Sequence, residues 1–279
     1  MRPERYALIG SFVLILLVVG CATDGPPRTS SIIRRDLPPD PVPRKEARSR
    51  YGNGPVYEVL GKNYRVMNTS HGYQETGVAS WYGKKFHGRM TSNQEPYDMY
   101  AMTAAHKSLP LPTYVRVKNL RNNKSIIVRV NDRGPFVHNR IIDLSYSAAI
   151  KLDMIKTGTS LVEVTAISFD ESPKQPPQPT VASTPVKKEP PKPESSAPAT
   201  NQSTVYVQVG AFGDAENARK RFALLRSGGI GDAFVLEDNS TSPALYRIRI
   251  GPIADVLQYD NLVAQLQDLG ISETHLVTD

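Results

Sequence analysis

The stretch Val128-Arg129-Val130-Asn131-Asp132-Arg133-Gly134-Pro135-Phe136 determines how the first half of this chain folds and where its chemistry lies. The run before it, from Ser125, is β-branched and almost wholly apolar, which predicts a strand packed on both faces. The strand stops at a cluster of turn-forming residues. The Asp132 carboxylate and the Arg133 guanidinium are therefore expected at the rim of a rigid sheet, where catalytic groups often lie. An Asx-turn at Asp132 beside a solvated Arg133 is the structural alternative.

The N-terminus has the pattern of an export signal. Two arginines, Arg2 and Arg5, precede an apolar segment at residues 7–19 that is too short to span a bilayer comfortably. The segment ends in a sequence that resembles a lipobox, with Cys21 as the acylated residue. Cys21 is the only cysteine, so no disulfide is possible within the chain. We expect a signal peptide over residues 1–20, with an uncleaved short anchor as the alternative. Because alanine and not aspartate follows the cysteine, the expected site is the periplasmic face of the outer membrane.

Composition divides the rest of the chain into four parts. Residues 21–53 are rich in Pro, Arg and Ser and predict a disordered tether. Residues 171–202 contain nine prolines and predict a Pro-rich linker. The folded units between and after them differ in charge: residues 54–170 carry 15 Lys and Arg against 9 Asp and Glu, whereas residues 203–279 carry 6 against 10. The formal net charge of +7 does not indicate nucleic acid here, because an exported protein meets cell wall and anionic lipid.

Many short strands separated by Gly, Pro and Asn clusters fill residues 54–170. This pattern in so short a unit predicts a small closed or nearly closed β-barrel. One short helix is expected at residues 147–152. The expected strands cover residues 77–81, 101–105, 114–119, 125–131, 140–143 and 160–168.

Residues 203–279 follow a β-α-β-β-α-β pattern. Alternating valines start the first strand, Asp214 is placed to cap the first helix, and Gly270 follows the second. Two helices on one face of a four-stranded antiparallel sheet form a ferredoxin-like α+β domain. If the valines face the helices, the opposite face of the sheet is a polar, aromatic and cationic platform. Its expected members are Tyr206, Gln208, Arg247 and Arg249.

Short motifs in the first unit occur in a recognisable order before and at the opening stretch. They are Ala79-Ser80-Trp81-Tyr82-Gly83, Phe86-His87-Gly88, Glu95-Pro96-Tyr97-Asp98-Met99, Thr103-Ala104-Ala105-His106-Lys107 and Leu109-Pro110. Together they resemble the rare lipoprotein A family, septal-ring lytic transglycosylases. The resemblance implies a six-stranded double-psi β-barrel. That family usually has Gly at position 94, where this chain has Gln94, so we expect Asn93 to take any left-handed conformation of the loop.

The resemblance also implies an activity. Lytic transglycosylases cleave the bond between N-acetylmuramic acid (MurNAc) and N-acetylglucosamine (GlcNAc) in peptidoglycan without water. The 6-hydroxyl of MurNAc attacks its own anomeric carbon and leaves a 1,6-anhydro end. Such a reaction needs one carboxyl group that first donates and then accepts a proton. Asp132 is our first candidate for that group, Glu95 and Asp98 are its rivals, and His106 matches the histidine of the family.

Other residues are candidates for binding sugar. Arg133 is placed to pair with Asp132 or with the lactyl group of MurNAc. Trp81 and Tyr82 are candidates to stack on pyranose rings, with core packing as the alternative. His71, His87 and His138 lack the spacing of metal ligands, so neither a metal nor another cofactor is expected.

The second unit resembles a sporulation-related repeat (SPOR) domain through two segments, Val207-Gln208-Val209-Gly210-Ala211-Phe212 and Tyr246-Arg247-Ile248-Arg249-Ile250-Gly251-Pro252. The resemblance implies binding to septal glycan stripped of stem peptides. The platform residues and Phe212 are then the expected glycan contacts. Stripping frees a lactyl carboxylate on each disaccharide, which the two arginines are suited to bind.

Three functions are consistent with these patterns. The first is a lytic transglycosylase anchored to the membrane by lipid and enriched at the division septum, with divisome proteins as possible partners. The second is a non-catalytic outer-membrane lipoprotein that binds peptidoglycan. The third, an RNA-binding protein, follows from topology alone and is disfavoured by the export signal and the lack of an aromatic-rich RNA-binding motif.

Overall fold

The computed structural model describes residues 37–137, 139–169 and 203–279. The predicted signal peptide, Cys21, the first part of the tether, His138 and the Pro-rich linker lie outside the described residues. Within them, no helix has the length and apolar character needed to cross a membrane.

A closed six-stranded barrel forms the first domain. Its strands are β3 (Gln74–Trp81), β4 (Thr103–His106), β5 (Thr113–Asn119), β6 (Ser125–Asp132), β7 (Arg140–Leu144) and β8 (Ser160–Ala166). Around the barrel the order is β3-β7-β4-β6-β5-β8, with β3–β7 and β4–β6 parallel. The predicted closed barrel is present, and the strand predicted over residues 125–131 is found as β6, which is one residue longer.

The barrel interior explains why these strands are so apolar. Val128 and Val130 of β6 are fully buried, and so are Ile142 and Leu144 of β7. They pack with side chains of the other strands and of α1 (Tyr146–Lys151) in one apolar cluster. Ser145 caps α1 by accepting a hydrogen bond from the Ala148 N–H. The short helix therefore packs on the barrel core, in contact with β3 and β6.

A hairpin that the sequence patterns did not reveal precedes the barrel. It pairs β1 (Val56–Val59) with β2 (Lys62–Arg65) through a two-residue turn at Leu60-Gly61. Both turn residues have positive φ, 51° and 74°, as a twisted two-residue hairpin requires. Leucine rarely adopts positive φ, so Gly61 was the only one of the two residues that could indicate this turn in the sequence.

Residues 37–53, here called the N-terminal strap, differ from the expected disordered tether. They form no helix or strand, yet polar contacts hold them on the barrel. The Asp40 carboxylate accepts a hydrogen bond from the Ile127 N–H at 2.7 Å and pairs with Lys151 at 2.7 Å. The Glu46 carboxylate binds Arg129 through Nε at 3.0 Å and Nη2 at 2.8 Å. The strap has few apolar residues and is held by its acidic side chains. They bind groups of β6, whose first half is not paired with β4.

The second domain has the expected ferredoxin-like order. Its sheet runs β10-β11-β9-β12, all antiparallel neighbours. The elements are β9 (Val205–Phe212), α2 (Ala215–Ser227), β10 (Ala233–Asp238), β11 (Leu245–Ile250), α3 (Val256–Asp268) and β12 (His275–Thr278). Asp214 caps α2, and Asp255 caps α3. The valines of β9 are buried in the core, as predicted.

The two domains touch where α3 meets the start of β7 and where β12 meets β3. Arg140 binds Asp260 through both terminal guanidinium nitrogens, at 3.2 and 3.0 Å. Around this ion pair, the barrel residues Val78, Leu120 and Leu161 join the apolar cluster of the second domain. The contact therefore involves both the helical layer of the second domain and its edge strand β12.

The ion pair between the strap and the barrel predicts a pH-dependent stability. The hydrogen bond from Arg129 holds the pKa of Glu46 at about 2, below its usual 4.5. A lowered folded-state pKa means that the pair stabilises the fold above pH 4.5 and that this stabilisation is lost as the pH falls towards about 2. We expect Glu46→Gln to reduce the free energy of unfolding by about 1 kcal/mol near neutral pH and by much less in acid.

Urea unfolding across that pH range checks this prediction. Glu58→Gln, which neutralises an exposed carboxylate on β1, is the matched control. A difference between wild type and Glu46→Gln that stays constant down to acid pH would contradict the assigned ion pair.

Candidate active site

Two aspartates flank one alanine on neighbouring strands. In the sheet, Ala105 of β4 lies opposite Asp132 of β6 on one side and opposite Asp143 of β7 on the other. A register shift in β6 brings Asp132, and not Asn131, opposite Ala105. Residues in register on adjacent strands face the same side of a sheet. Ala104 and Leu144, which are neighbours in the chain of Ala105 and Asp143, face the apolar core, so the two aspartates face outward.

Hydrogen-bond donors surround the Asp132 carboxylate. Oδ1 accepts from the Ser92 N–H at 2.8 Å, from the Ser92 hydroxyl at 2.7 Å and from the Arg133 N–H at 2.7 Å. The Tyr82 hydroxyl donates to Oδ2 at 3.3 Å. Asp132 is thus fixed by the loop that contains Ser92 and by the strand end that the sequence identified.

Glu95 lies in that same loop and is bound as a carboxylate. Its oxygens accept from Arg129 Nη1 at 2.7 Å, Arg129 Nη2 at 3.0 Å and Asn131 Nδ2 at 2.9 Å. Burial favours a higher pKa, but the hydrogen bonds from Arg129 and Asn131 outweigh it and lower the pKa of Glu95. The same guanidinium binds Glu46 of the strap. Glu95 is therefore brought beside the end of β6 as a fixed negative charge.

Asp98 lies further along the loop and is half exposed. One of its oxygens accepts from the Tyr100 N–H at 2.9 Å and is 3.8 Å from His87 Nδ1. Between Glu95 and Asp98, the ring of Tyr97 packs at 4.9 Å from the ring of Tyr82. Burial raises the pKa of Tyr97, and the charges of Asp98, Asp143 and Asp132 raise it further. Asp98 and the two strand aspartates thus act on one buried phenol.

The hydrogen bonds of the His106 ring go to groups other than these acids. Its Nδ1 accepts from the N–H groups of Ser108 at 3.2 Å and Leu109 at 3.0 Å, which leaves the proton on Nε2. Nε2 then donates to the Tyr73 hydroxyl at 2.8 Å. Burial, together with the positive charges of Arg133 and Lys107, lowers the pKa of His106 to about 3. A neutral, fully bonded imidazole organises the end of β4.

Arg133 and Trp81 also have structural partners. The buried Arg133 guanidinium donates to the backbone oxygens of Gly52, His106 and Leu109 and to the Asn53 side chain. It therefore ties the end of the strap to the end of β4. Trp81 packs on the barrel core with its ring 5.7 Å from that of Tyr146, which matches the alternative expected for it.

Asp143 is the site residue that the sequence patterns missed. It lies half-buried in β7, where the Ser80 hydroxyl donates to its Oδ1. Burial raises the pKa of Asp143, against the lowering effects of Ser80, Lys107 and Arg140. An acid in an otherwise apolar strand segment, Ile141-Ile142-Asp143-Leu144, was a usable signal.

On the second domain, the predicted platform faces away from the helices. Arg249 pairs across the sheet with Gln208, and Gln208 pairs with His275. The rings of Tyr206 and Phe234 meet at 5.6 Å on this surface. Both arginines already have carboxylate partners: Arg247 binds Asp238 at 2.7 Å and Arg249 binds Asp279 at 2.6 Å. Phe212 differs from the other expected contacts because it packs against the apolar core.

Potential metal ligands do not cluster in the part of the chain that the structure describes. No group of three or more His, Cys, Asp or Glu side chains there is arranged to hold an ion.

Comparison with known proteins agrees with both domains. Residues 74–164 match the lytic transglycolase family, and residues 201–276 match the SPOR domain family. An endolytic peptidoglycan transglycosylase RlpA of Vibrio cholerae is 36% identical over 279 residues, which covers 95% of each chain. The chain belongs to the RlpA family.

A further relative and a solved structure come from Pseudomonas aeruginosa. The RlpA of strain UCBPP-PA14 is 41% identical over 251 residues, which covers 77% of this chain and 73% of its own. The crystal structure of an RlpA SPOR domain from this species matches 26% of this chain and 96% of its own, with 25% identity and a TM-score of 0.25. The family assignment therefore confirms the resemblance that the motifs indicated.

The loop that holds Glu95 contains the departure from the usual RlpA sequence. Gln94 itself adopts the left-handed conformation, with φ of 67°, so the expectation that Asn93 would do so is wrong. Asn93 instead accepts hydrogen bonds from the Thr91 hydroxyl at 2.7 Å and the Glu95 N–H at 3.3 Å. The Asn93 side chain thus stabilises the turn, and Gln94 takes the strained left-handed conformation.

We expect Gln94→Gly to stabilise the protein by about 0.5–1 kcal/mol, because glycine relieves the left-handed strain and loses part of that gain to its unfolded-state entropy. Asn93→Gly is the matched control and is expected to destabilise. Urea unfolding of both variants measures the difference, and the opposite order of stabilities would contradict the assigned loop geometry.

Proposed function

We propose that this RlpA-family protein is an endolytic peptidoglycan transglycosylase that cleaves MurNAc–GlcNAc bonds and leaves 1,6-anhydro-MurNAc ends. The observation that carries the proposal is the pair of aspartates flanking Ala105 in a barrel of the lytic transglycolase family. Glu95, held by Arg129 next to the end of β6, extends this acidic surface. The names of the V. cholerae and P. aeruginosa relatives support the same activity.

The proposed chemistry suits a site rich in carboxyl groups and poor in nucleophiles. Positive charge develops on the sugar ring as the glycosidic bond breaks, and fixed carboxylates stabilise it. Glu95, held as a carboxylate by Arg129 and Asn131, is assigned that electrostatic role. Asp132, held by donors from Ser92 and Arg133, is proposed as the group that exchanges the proton. The 6-hydroxyl of the substrate replaces water, so one proton-exchanging carboxyl group completes the machinery.

The platform of the second domain is proposed to bind glycan strands that lack stem peptides. The half-buried Tyr206 beside Phe234 offers an apolar surface for a pyranose face. Arg247 and Arg249 are proposed to bind the lactyl carboxylates that stem-peptide removal exposes. Peptide-free strands at the septum would then concentrate the enzyme there, with acylation of Cys21 holding it to the outer membrane. Divisome proteins are the proposed partners in this arrangement.

Digestion of purified sacculi tests the activity. We expect wild type to release muropeptides with 1,6-anhydro ends, detected by mass spectrometry, and Asp132→Asn and Glu95→Gln to reduce the rate by about 100-fold. Asp153→Asn, an exposed barrel aspartate paired with Lys124, is the matched control and should retain activity. Wild-type protein that sediments with sacculi and releases no anhydro product would instead indicate a non-catalytic wall binder.

A second prediction tests the arginines of the platform. Because Asp279 occupies Arg249, Asp279→Asn should free the guanidinium and strengthen binding to peptide-stripped sacculi by about two- to fivefold. Arg249→Ala should weaken the same binding. Co-sedimentation with stripped and intact sacculi measures both effects. If Asp279→Asn binds no better than wild type, Arg249 has a structural role and does not contact the glycan.

A further inference from the structure

We propose that Glu46 of the N-terminal strap is a positioning residue for Glu95, and that it acts through the guanidinium of Arg129. The inference rests on the proposed function, in which the Glu95 carboxylate faces the positive charge that develops on the sugar. The strap lies outside residues 74–164, which match the lytic transglycolase family, so the inference extends the site beyond that domain.

The Arg129 guanidinium is held on two adjacent edges. Glu46 accepts from Nε at 3.0 Å and from Nη2 at 2.8 Å, and Glu95 accepts from Nη1 at 2.7 Å and from Nη2 at 3.0 Å. Because the guanidinium is planar and its donors have fixed directions, two bidentate contacts define both its plane and its rotation within that plane. Without Glu46, the long arginine side chain would regain much of its rotamer freedom. The direction in which Arg129 presents its donors to Glu95 is therefore set by Glu46.

Burial distinguishes the two acids on this guanidinium. The side chain of Glu46 is 20% exposed and that of Arg129 is 18% exposed, whereas that of Glu95 is 42% exposed. Glu46 thus occupies the covered edge of the guanidinium, and Glu95 occupies the open edge, where a substrate can reach it. Solvent and salt screen a partly buried ion pair less than an exposed one, so the covered contact is suited to holding Arg129 in place.

The Glu46 carboxylate is itself fixed to the barrel wall. The Tyr114 hydroxyl donates to its Oε1 at 2.5 Å, and Tyr114 of β5 lies opposite Arg129 of β6 in the sheet. Two neighbouring strands therefore hold one carboxylate of the strap. Hydrogen bonds from Arg129 and Tyr114, together with the charge of Arg44, outweigh burial and bring the pKa of Glu46 to about 2. Glu46 is therefore a permanent negative charge near neutral pH.

Most of what orients the Glu95 side chain comes from Arg129. The guanidinium supplies two hydrogen bonds to the carboxylate, and Asn131 Nδ2 supplies one at 2.9 Å. Burial raises the pKa of Glu95, whereas the hydrogen bonds from Arg129, Asn131 and Asn93 lower it, and the net effect is a lowered pKa. If Arg129 turned away, Glu95 would be both misplaced and more easily protonated. Loss of Glu46 should therefore reach the reaction through Glu95.

A double-mutant cycle on purified sacculi tests this coupling. We expect Glu46→Gln to lower the rate of anhydro-product release by about 10-fold in the wild-type background, and by less than about twofold in the Glu95→Gln background. The losses differ because Glu46 has no carboxylate left to position once Glu95 has been replaced. Equal losses in the two backgrounds would mean that Glu46 acts on stability alone, and that result would overturn the inference.

Asp40→Asn is the matched control for loosening of the strap. Asp40 is a second strap carboxylate, and its partners on the barrel, the Ile127 N–H and Lys151, are not among the donors to Glu95. Its rate should stay within about twofold of wild type in both backgrounds. If Asp40→Asn loses as much activity as Glu46→Gln, any loosening of the strap suffices and the specific role of Glu46 is wrong.

Carbon-13 NMR titration of the Glu95 carboxyl group gives a readout that does not depend on activity. Glu46→Gln should raise the pKa of Glu95 towards its usual 4.5, because the hydrogen bonds from Arg129 that lower it are weakened, and Asp40→Asn should leave it unchanged. An unchanged or lower pKa in Glu46→Gln would show that the guanidinium stays on Glu95 without the strap, which overturns the inference. A wild type that releases no product contradicts the proposed function alone, and this titration then decides the inference.

Discussion

Strand β4 is the element on which the candidate site depends. It is only four residues long, yet it pairs in parallel with β6 and antiparallel with β7, so it joins the two strands that carry the aspartates. Because the barrel is closed, neither pairing can slide without breaking the other. The register shift next to Ala105 then selects Asp132 and not Asn131 for the outward row. The separation of the two acids is thus a property of backbone hydrogen bonding, and their rigidity comes from the fully buried side chains beneath them.

Arg129 links this scaffold to the strap and the loop. Its guanidinium lies between Glu46 and Glu95 and binds each with two nitrogens. The two carboxylates repel each other, and the guanidinium between them keeps both in place. The strap therefore helps to position Glu95, a residue of the acidic surface. No motif in the sequence of the strap indicates this role.

Local patterns predicted the elements well but not their partners. The β-branched run gave β6 to within one residue, and the helix after Ser145 was expected at residues 147–152 and is found at Tyr146–Lys151. The parallel pairings, the register shift and the strap depend on contacts between distant residues, for which the alternation of apolar side chains contains no information. His106 shows the same limit: its motif does not indicate that the ring becomes a buried hydrogen-bonding group at the end of β4.

The second domain is negatively charged overall, as is the glycan proposed to bind to it. A net charge of −4, from 6 basic and 10 acidic residues, opposes the general attraction of an anionic glycan. The platform arginines are also neutralised by Asp238 and Asp279. A carboxylate of the glycan must therefore displace Asp238 or Asp279 from its arginine, or share that arginine with it. One such carboxylate alone would add little binding free energy. Several lactyl carboxylates at the spacing of the glycan, together with a sugar face on Tyr206, would be needed for firm binding. In the proposed function, such a surface would bind scattered negative charge poorly and would favour a strand from which the stem peptides have been removed.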